Sequence, residues 1–436
     1  MFSNTAFPIV NVAAERIDLS HLSQLERLPN ELKIPIIGAL PDMKSLFNLA
    51  LSGPGFYAFI AGNEGMLATE MVTTNIDANV MSLAVARRFA AKSAWKRKKT
   101  QVPRDLFPSS EYVKSVTTFV DEFLGPQNAQ VWTKHLQVSG FHEASCYLAL
   151  HNAICHYAKV LSGRAMKRAP MVLGYGKKVS STVLNRYKKA LYIMQLVTDL
   201  FSWSDNSDIV QYQAWTNFWT KFAPWELEQV RCLEVLLGEH FEAFIAQVNE
   251  ESVGLLSSTL NVAKSLRGKF IVRHGPEGLW DMELRSSVYI INRAFHSIQM
   301  TYVLRCRPHT YHREHSAIWL DPNQTGHLSL DASEIFATYG EDEPGPMKIW
   351  YYTLLQRYIE SPIVMPGIYS YFSCARCMAR CGYAFWDDIK SHRRRLPTIS
   401  EMRQATLDAF IDEEGFREYV LSRSHVQYCN CDRGSY

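Results

Sequence analysis

Residues 25–60, LERLPNELKIPIIGALPDMKSLFNLALSGPGFYAFI, hold three short apolar segments separated by two proline-marked breaks. The run Leu28-Pro29-Asn30-Glu31-Leu32 reads as a helix start. Proline suits a first helical turn because its missing N–H would have had no intrahelical acceptor there. Glu31 falls in the same turn, where the macrodipole favours a carboxylate. Leu28, Leu32, Ile36 and Leu40 follow at four-residue spacing, a stripe about 120° wide at roughly 100° per residue. Pro35 removes the bond from its own nitrogen to the Glu31 carbonyl, and an interior proline costs about 3 kcal/mol. Gly38 adds about 1 kcal/mol more. Together they predict a kinked first helix, or one that restarts at Pro35. Pro41-Asp42 ends that helix, and Asp42 or Ser45 caps a second one carrying Leu46, Leu49 and Leu51. After Gly53-Pro54-Gly55 comes the third segment, Phe56 to Ile60.

Three helices of this size bury little by themselves. A domain of about 50 residues is marginal by surface-to-volume arithmetic, so it gains by docking against a partner or against the rest of its chain. The remainder is long enough for two or three packed units: the chain has 436 residues, 47% of them hydrophobic and 20% charged. Those are ordinary globular proportions.

The net charge of +3 hides an asymmetry. Glu15, Asp18, Glu26, Glu31, Asp42, Glu64, Glu70 and Asp77 outnumber Arg16, Arg27, Lys33 and Lys44 over residues 1–84. The order then reverses in Arg87, Arg88, Lys92, Lys96, Arg97, Lys98, Lys99 and Arg104. Such a band suits nucleic acid or an import signal, but four consecutive basic residues are too short to be specific, and a solvated helix end is the reading adopted. The first twenty residues lack the basic and apolar regions of a secretory signal. No apolar run approaches the ~18 residues that cross a bilayer. An intracellular protein, cytoplasmic or nuclear, with its nine cysteines reduced is expected.

Beyond residue 76, apolar residues recur at three- and four-residue intervals and strand-like alternation is scarce, which predicts an all-α chain. Helices are expected at 78–97, 109–124, 142–162, 181–203, 225–247 and 365–392, with others at 127–137, 207–221, 250–265, 278–304, 347–359 and 399–421. Residues 1–24 form an N-terminal segment, 25–76 a three-helix module, 77–108 a basic helical connector, and 109–436 an irregular α-helical domain. Arg307 to Pro346, rich in proline, glycine and acidic residues, reads as a long exposed loop. There is no repeat of fixed period.

The N-terminal pattern resembles the F-box of filamentous fungi. The likeness is carried by Leu28-Pro29-Asn30-Glu31-Leu32, Leu40-Pro41-Asp42, Ser45-Leu46 with Asn48-Leu49-Ala50-Leu51, and Phe56-Tyr57. Looser similarity to the helical region that follows the F-box in such proteins runs through Leu184-Asn185-Arg186, Ala190-Leu191-Tyr192, Asp199-Leu200-Phe201, Phe222 to Gln229 with Cys232, and Cys381 to Asp387. The resemblance implies a substrate receptor whose F-box binds a Skp-type adaptor of a cullin–RING ubiquitin ligase. It also implies that the chemistry resides in other subunits, so that the chain itself is no enzyme and needs no cofactor. The family's contact positions fall here on Leu28, Pro29, Leu32, Ile36, Leu40, Leu46, Leu49, Leu51 and Phe56. A helical scaffold that keeps a degenerate F-box without ligase contact is the alternative.

Other constellations point less far. Cys374, Cys377 and Cys381 give C-x2-C-x3-C, with Cys429, Cys431 and His425 near the terminus, and C-x2-C is zinc-ligand spacing. The first three also fall within about 60° of one another on a helix, where cysteine serves as a small apolar residue; core packing is expected and no metal. His309, His312 and His315 beside Glu314 read as solvated. His142, Cys146, His151, Cys155 and His156 share one helix, but a cysteine nucleophile also needs hydrogen-bond reach and an orienting third group. Asp199, Asp205 and Asp208 do not put paired carboxylates on adjacent turns. There is no P-loop, G-x-G-x-x-G or G-x-S-x-G.

Overall fold

A computed structural model describes residues 23–40, 43–92, 110–125, 136, 140–168, 178–201, 214, 217–251, 275–284, 345–350 and 375–386. Of the described residues, 86% are helical and none lies in a strand, so the chain is all-α as its periodicity predicts. It divides into two compact units: residues 1–81 with 133–151, and residues 82–132 with 152–436. The helix expected at 399–421, and most of those at 127–137, 207–221, 250–265, 278–304 and 347–359, lie outside the described residues. So do residues 307–344 of the long loop and 93–108 of the connector.

In the first unit, residues 25–76 hold four helices rather than three: α1 (Asn30–Gly38), α2 (Met43–Ser52), α3 (Pro54–Gly62) and α4 (Glu64–Asn75). Pro29 caps α1 from outside it, its carbonyl accepting from the amides of Leu32 at 3.0 Å and Lys33 at 3.2 Å. The expected restart at Pro35 does not occur. α1 runs through to Gly38 and closes with the Ala39 amide on the Pro35 carbonyl at 3.0 Å. The proline gives up the bond its own amide would make to the Glu31 carbonyl, and α1 continues through it without that bond. Asn75 steadies the end of α1, its side-chain amide reaching the carbonyls of Gly38, Leu40 and Met71. Gly38 has its own reason. α1 packs on α4 so closely that a Cβ there would lie 2.6 Å from Cγ of Glu70.

The inward face of α1 carries Lys33, Ile37 and Gly38, with the Lys33 ammonium 5.2 Å from the centre of the Phe59 ring. α2 and α3 pair through Leu46, Ala50, Phe56, Phe59 and Ile60, and α4 supplies Leu67, Ala68, Met71 and Val72.

The second unit is organised by α8 (Ser181–Leu200), whose residues from Ala190 to Leu200 are all buried. A helix apolar on every side belongs in a core, but α8 also carries Gln195, Thr198 and Asp199 into that core. Asp199 accepts from Nε of Arg87 at 2.9 Å, and the Arg87 guanidinium also pairs with Glu277. Arg87 lies on α5 (Ala78–Lys92), within the part belonging to this unit. Burial opposes its charge, and the two carboxylates outweigh that, holding the guanidinium above its ordinary pKa. Arg87 is therefore withdrawn from the solvated basic band assigned from sequence. Arg88 is half-buried, and Lys96 to Lys99 lie outside the described residues.

α9 (Pro224–Glu251) packs on α8, and the short α10 (Ala375–Arg380) packs on α9 and continues into a 3-10 turn at Tyr383–Phe385 that meets both α8 and α9. α6 (Ser110–Leu124) stacks Phe123 on Phe89 at 4.8 Å. The helix expected at 142–162 is α7 (Phe141–Arg168) and extends past Gly163. Leu161, Ser162 and Ala165 are buried around that glycine, and their packing offsets a cost of about 1 kcal/mol.

The helix expected at 365–392 breaks at Gly382. Its φ of +62° suits glycine, and a Cβ there would sit 2.3 Å from the Tyr187 hydroxyl. The break lets the 3-10 turn dock. Arg186 donates to the Phe385 carbonyl and Gln229 to the Ala384 carbonyl, both at 3.1 Å. The Tyr383 hydroxyl donates to Glu228 at 2.5 Å, and the Tyr187 and Phe385 rings stack at 3.7 Å.

Replacing Arg87 by methionine strands the Asp199 carboxylate in the core without its arginine. It is expected to lower stability by about 3–5 kcal/mol, whereas Arg87→Met combined with Asp199→Leu recovers most of that loss. Urea unfolding followed by tryptophan fluorescence measures both.

Candidate docking surface

The nine residues to which the resemblance assigns adaptor contacts divide by exposure. Pro29, Leu32, Ile36 and Leu51 are exposed, Leu28, Leu40 and Leu49 are half-buried, and Leu46 and Phe56 are buried. The stripe on α1 thus faces outward, because Ile37 and Gly38 take the side against α4. Leu46 and Phe56 have almost no surface to offer a partner; they hold α2 against α3.

Among the described residues, the exposed large apolar side chains are Leu25, Leu32, Ile36, Phe47, Leu51, Met66 and Leu284. All but Leu284 fall between residues 25 and 66. Single exposed leucines are ordinary on any surface. Their concentration in one short stretch makes that stretch the candidate surface. Leu25, Phe47 and Met66 escaped the sequence reading because each falls outside the four-residue stripe and the family's contact positions.

A carboxylate organises the near edge of this surface. Glu26 and Ser23 cap one another, the Ser23 amide donating to Glu26 Oε2 at 2.8 Å and the Glu26 amide to Ser23 Oγ at 3.3 Å. Glu26 Oε1 also accepts the Gly55 amide at 3.0 Å, which places a negative charge at the N-terminus of α3, where the helix favours one. The turn carrying Leu25 is thereby fastened to the junction of α2 and α3, just after Leu51. These hydrogen bonds, those from Ser23 foremost, hold the Glu26 carboxyl below the ordinary glutamate pKa. Ser23-x-x-Glu26 is a capping-box spacing legible in the sequence; its reach to Gly55 is not. A second carboxylate acts similarly, Glu64 accepting the Phe141 amide at 2.9 Å at the start of α7.

The chemistry weighed elsewhere falls only in part on described residues. Among the described residues no three histidine, cysteine or acidic side chains are grouped to hold a metal. Cys381 is buried, and that burial pushes its thiol up to about 12, which keeps it protonated. Cys374, Cys429, Cys431, His425, His309, His312, His315, Asp205 and Asp208 lie outside the described residues, as does the side chain of Cys377. Asp199 is bound to Arg87. On α7, His142 is exposed and His151 buried, Cys146 and Cys155 are half-buried, and the His156 ring lies 4.8 Å from that of Trp280. No described helix is long and apolar enough to cross a membrane.

No family model matches the chain, and neither a curated protein nor a solved structure matches it.

Two outcomes follow from Glu26. A Cβ at Gly53 would lie 2.2 Å from Glu26 Oε1, so Gly53→Ala is expected to destabilise the first unit and to speed exchange of the Gly55 amide. Because the folded pKa of Glu26 is lowered, its contribution is complete above the unfolded value of about 4.3 and is lost as pH falls through the folded value. Acid unfolding of wild type and Glu26→Gln, compared below pH 4.3, is expected to converge.

Proposed function

We propose that the protein is an F-box-type substrate receptor. Residues 25–76 bind a Skp-type adaptor, and the remaining helical chain presents a protein substrate to the cullin–RING ligase that the adaptor recruits. The chain would act by proximity, with ubiquitin transfer carried out by the other subunits. The observation that carries the reading is the gathering of exposed Leu25, Leu32, Ile36, Phe47, Leu51 and Met66 in the stretch whose sequence resembles an F-box.

Pro29, Leu32, Ile36 and Leu51 are the central contacts in this reading, with Leu28, Leu40 and Leu49 at the margin. Leu46 and Phe56 support the surface from within. Their burial favours the second reading, a helical scaffold whose degenerate F-box has turned its contact residues inward and no longer meets a ligase.

Fully burying a leucine or isoleucine is worth about 1.5–3 kcal/mol, so losing one such contact weakens binding by roughly 10- to 150-fold. Co-expression with a Skp-type adaptor is expected to yield a complex with wild type. Leu32→Asp and Ile36→Asp should each break the complex while leaving thermal stability nearly unchanged, since both side chains are exposed. Purification of wild type free of adaptor would instead favour the scaffold.

A further inference from the structure

We infer that Glu26 is the positioning residue of the docking surface: its carboxylate joins the turn bearing Leu25 to the α2–α3 junction beside Leu51, so that the two leucines meet the adaptor as one surface. This rests on the docking reading above, but the resemblance assigns Glu26 no role.

The geometry is specific. Leu25 is 51% exposed and Leu51 80% exposed, and Glu26, next to the first, accepts the amide of Gly55, four residues after the second, at 3.0 Å. Glu26 is itself only 7% exposed, with one carboxylate oxygen on the Ser23 amide and the other on Gly55. The same carboxylate fills the space where a side chain at residue 53 would begin. Residues 23–28 form a turn rather than part of α1, and this carboxylate fixes that turn to another element. A partner that contacts both leucines then meets a preformed surface instead of ordering one, and a preformed surface binds more tightly with no added contact.

The test is a double-mutant cycle in the full-length chain, with adaptor affinity measured by calorimetry and exchange of the Gly55 and Phe56 amides by mass spectrometry. Glu26→Ala is expected to weaken binding about tenfold and to speed that exchange. Glu26→Gln, which keeps one acceptor oxygen but turns an NH2 toward the other amide, should fall between Glu26→Ala and wild type. Leu51→Asp should weaken binding strongly, and adding Glu26→Ala to it should cost little more, because the carboxylate acts through that leucine.

Equal affinity of wild type and Glu26→Ala, or a loss that adds fully to that of Leu51→Asp, overturns the positioning role and leaves docking intact. Absence of adaptor binding by wild type overturns the docking reading and the positioning role with it. Slow Gly55 exchange that Glu26→Ala leaves unchanged overturns the positioning role by itself.

Discussion

An aspartate near the end of a helix buried on every side cannot stay there alone. Asp199 occupies that position on α8, and Arg87 neutralises it from α5, with Glu277 pairing with another nitrogen of the same guanidinium. Removing two charges from water is expensive, and their attraction offsets that cost only where the geometry is good. Nonpolar residues of similar size would serve stability as well. What the pair supplies is register: α5, α8 and helical residues 275–284 meet at one point, and a slip of any of them would leave a charge unpaired. The 3-10 turn at Tyr383–Phe385 is fixed by the same logic. There Arg186, Gln229 and Glu228 answer backbone carbonyls and a buried phenol.

The first unit is built differently. Its four short helices share a small core around Ile37, Leu46, Ile60, Leu67 and Met71, and its exposed apolar side chains stay outside. Carboxylates fasten its ends, Glu26 at the start of α3 and Glu64 at the start of α7. A unit this small gains from covering its outer face. Its thin core, outward stripe and fastened turns are what a docking module needs, and they underlie the proposed function.

Some local chemistry was legible in the sequence. Pro29 and Glu31 announced α1, and the helix expected at 225–247 is α9, where the Ala223 amide donates to Glu226 at 2.8 Å. What escaped depends on residues far away in the chain. Gly382 breaks its helix because Tyr187 lies over it. Arg87 leaves the basic band because Asp199, over a hundred residues on, is buried. The family's contact positions named an apolar set on α1, α2 and α3, but only the packing of α1 on α4 and of α2 on α3 decides which members face out. Pro35 suggested a kink or a restart, and α1 instead continues through it to Gly38, where Asn75 bonds the helix end. Three segments that carried the looser likeness, around Arg186, Gln229 and Tyr383, turn out to meet in one cluster.

The central claim is that the outer face of the first unit is a docking surface for an adaptor. Hydrogen exchange of the full chain with and without a Skp-type adaptor tests it most directly. The account predicts added protection in peptides spanning residues 23–62 and none in α8 or α9. Unchanged exchange across residues 23–62, or protection confined to the second unit, would contradict it.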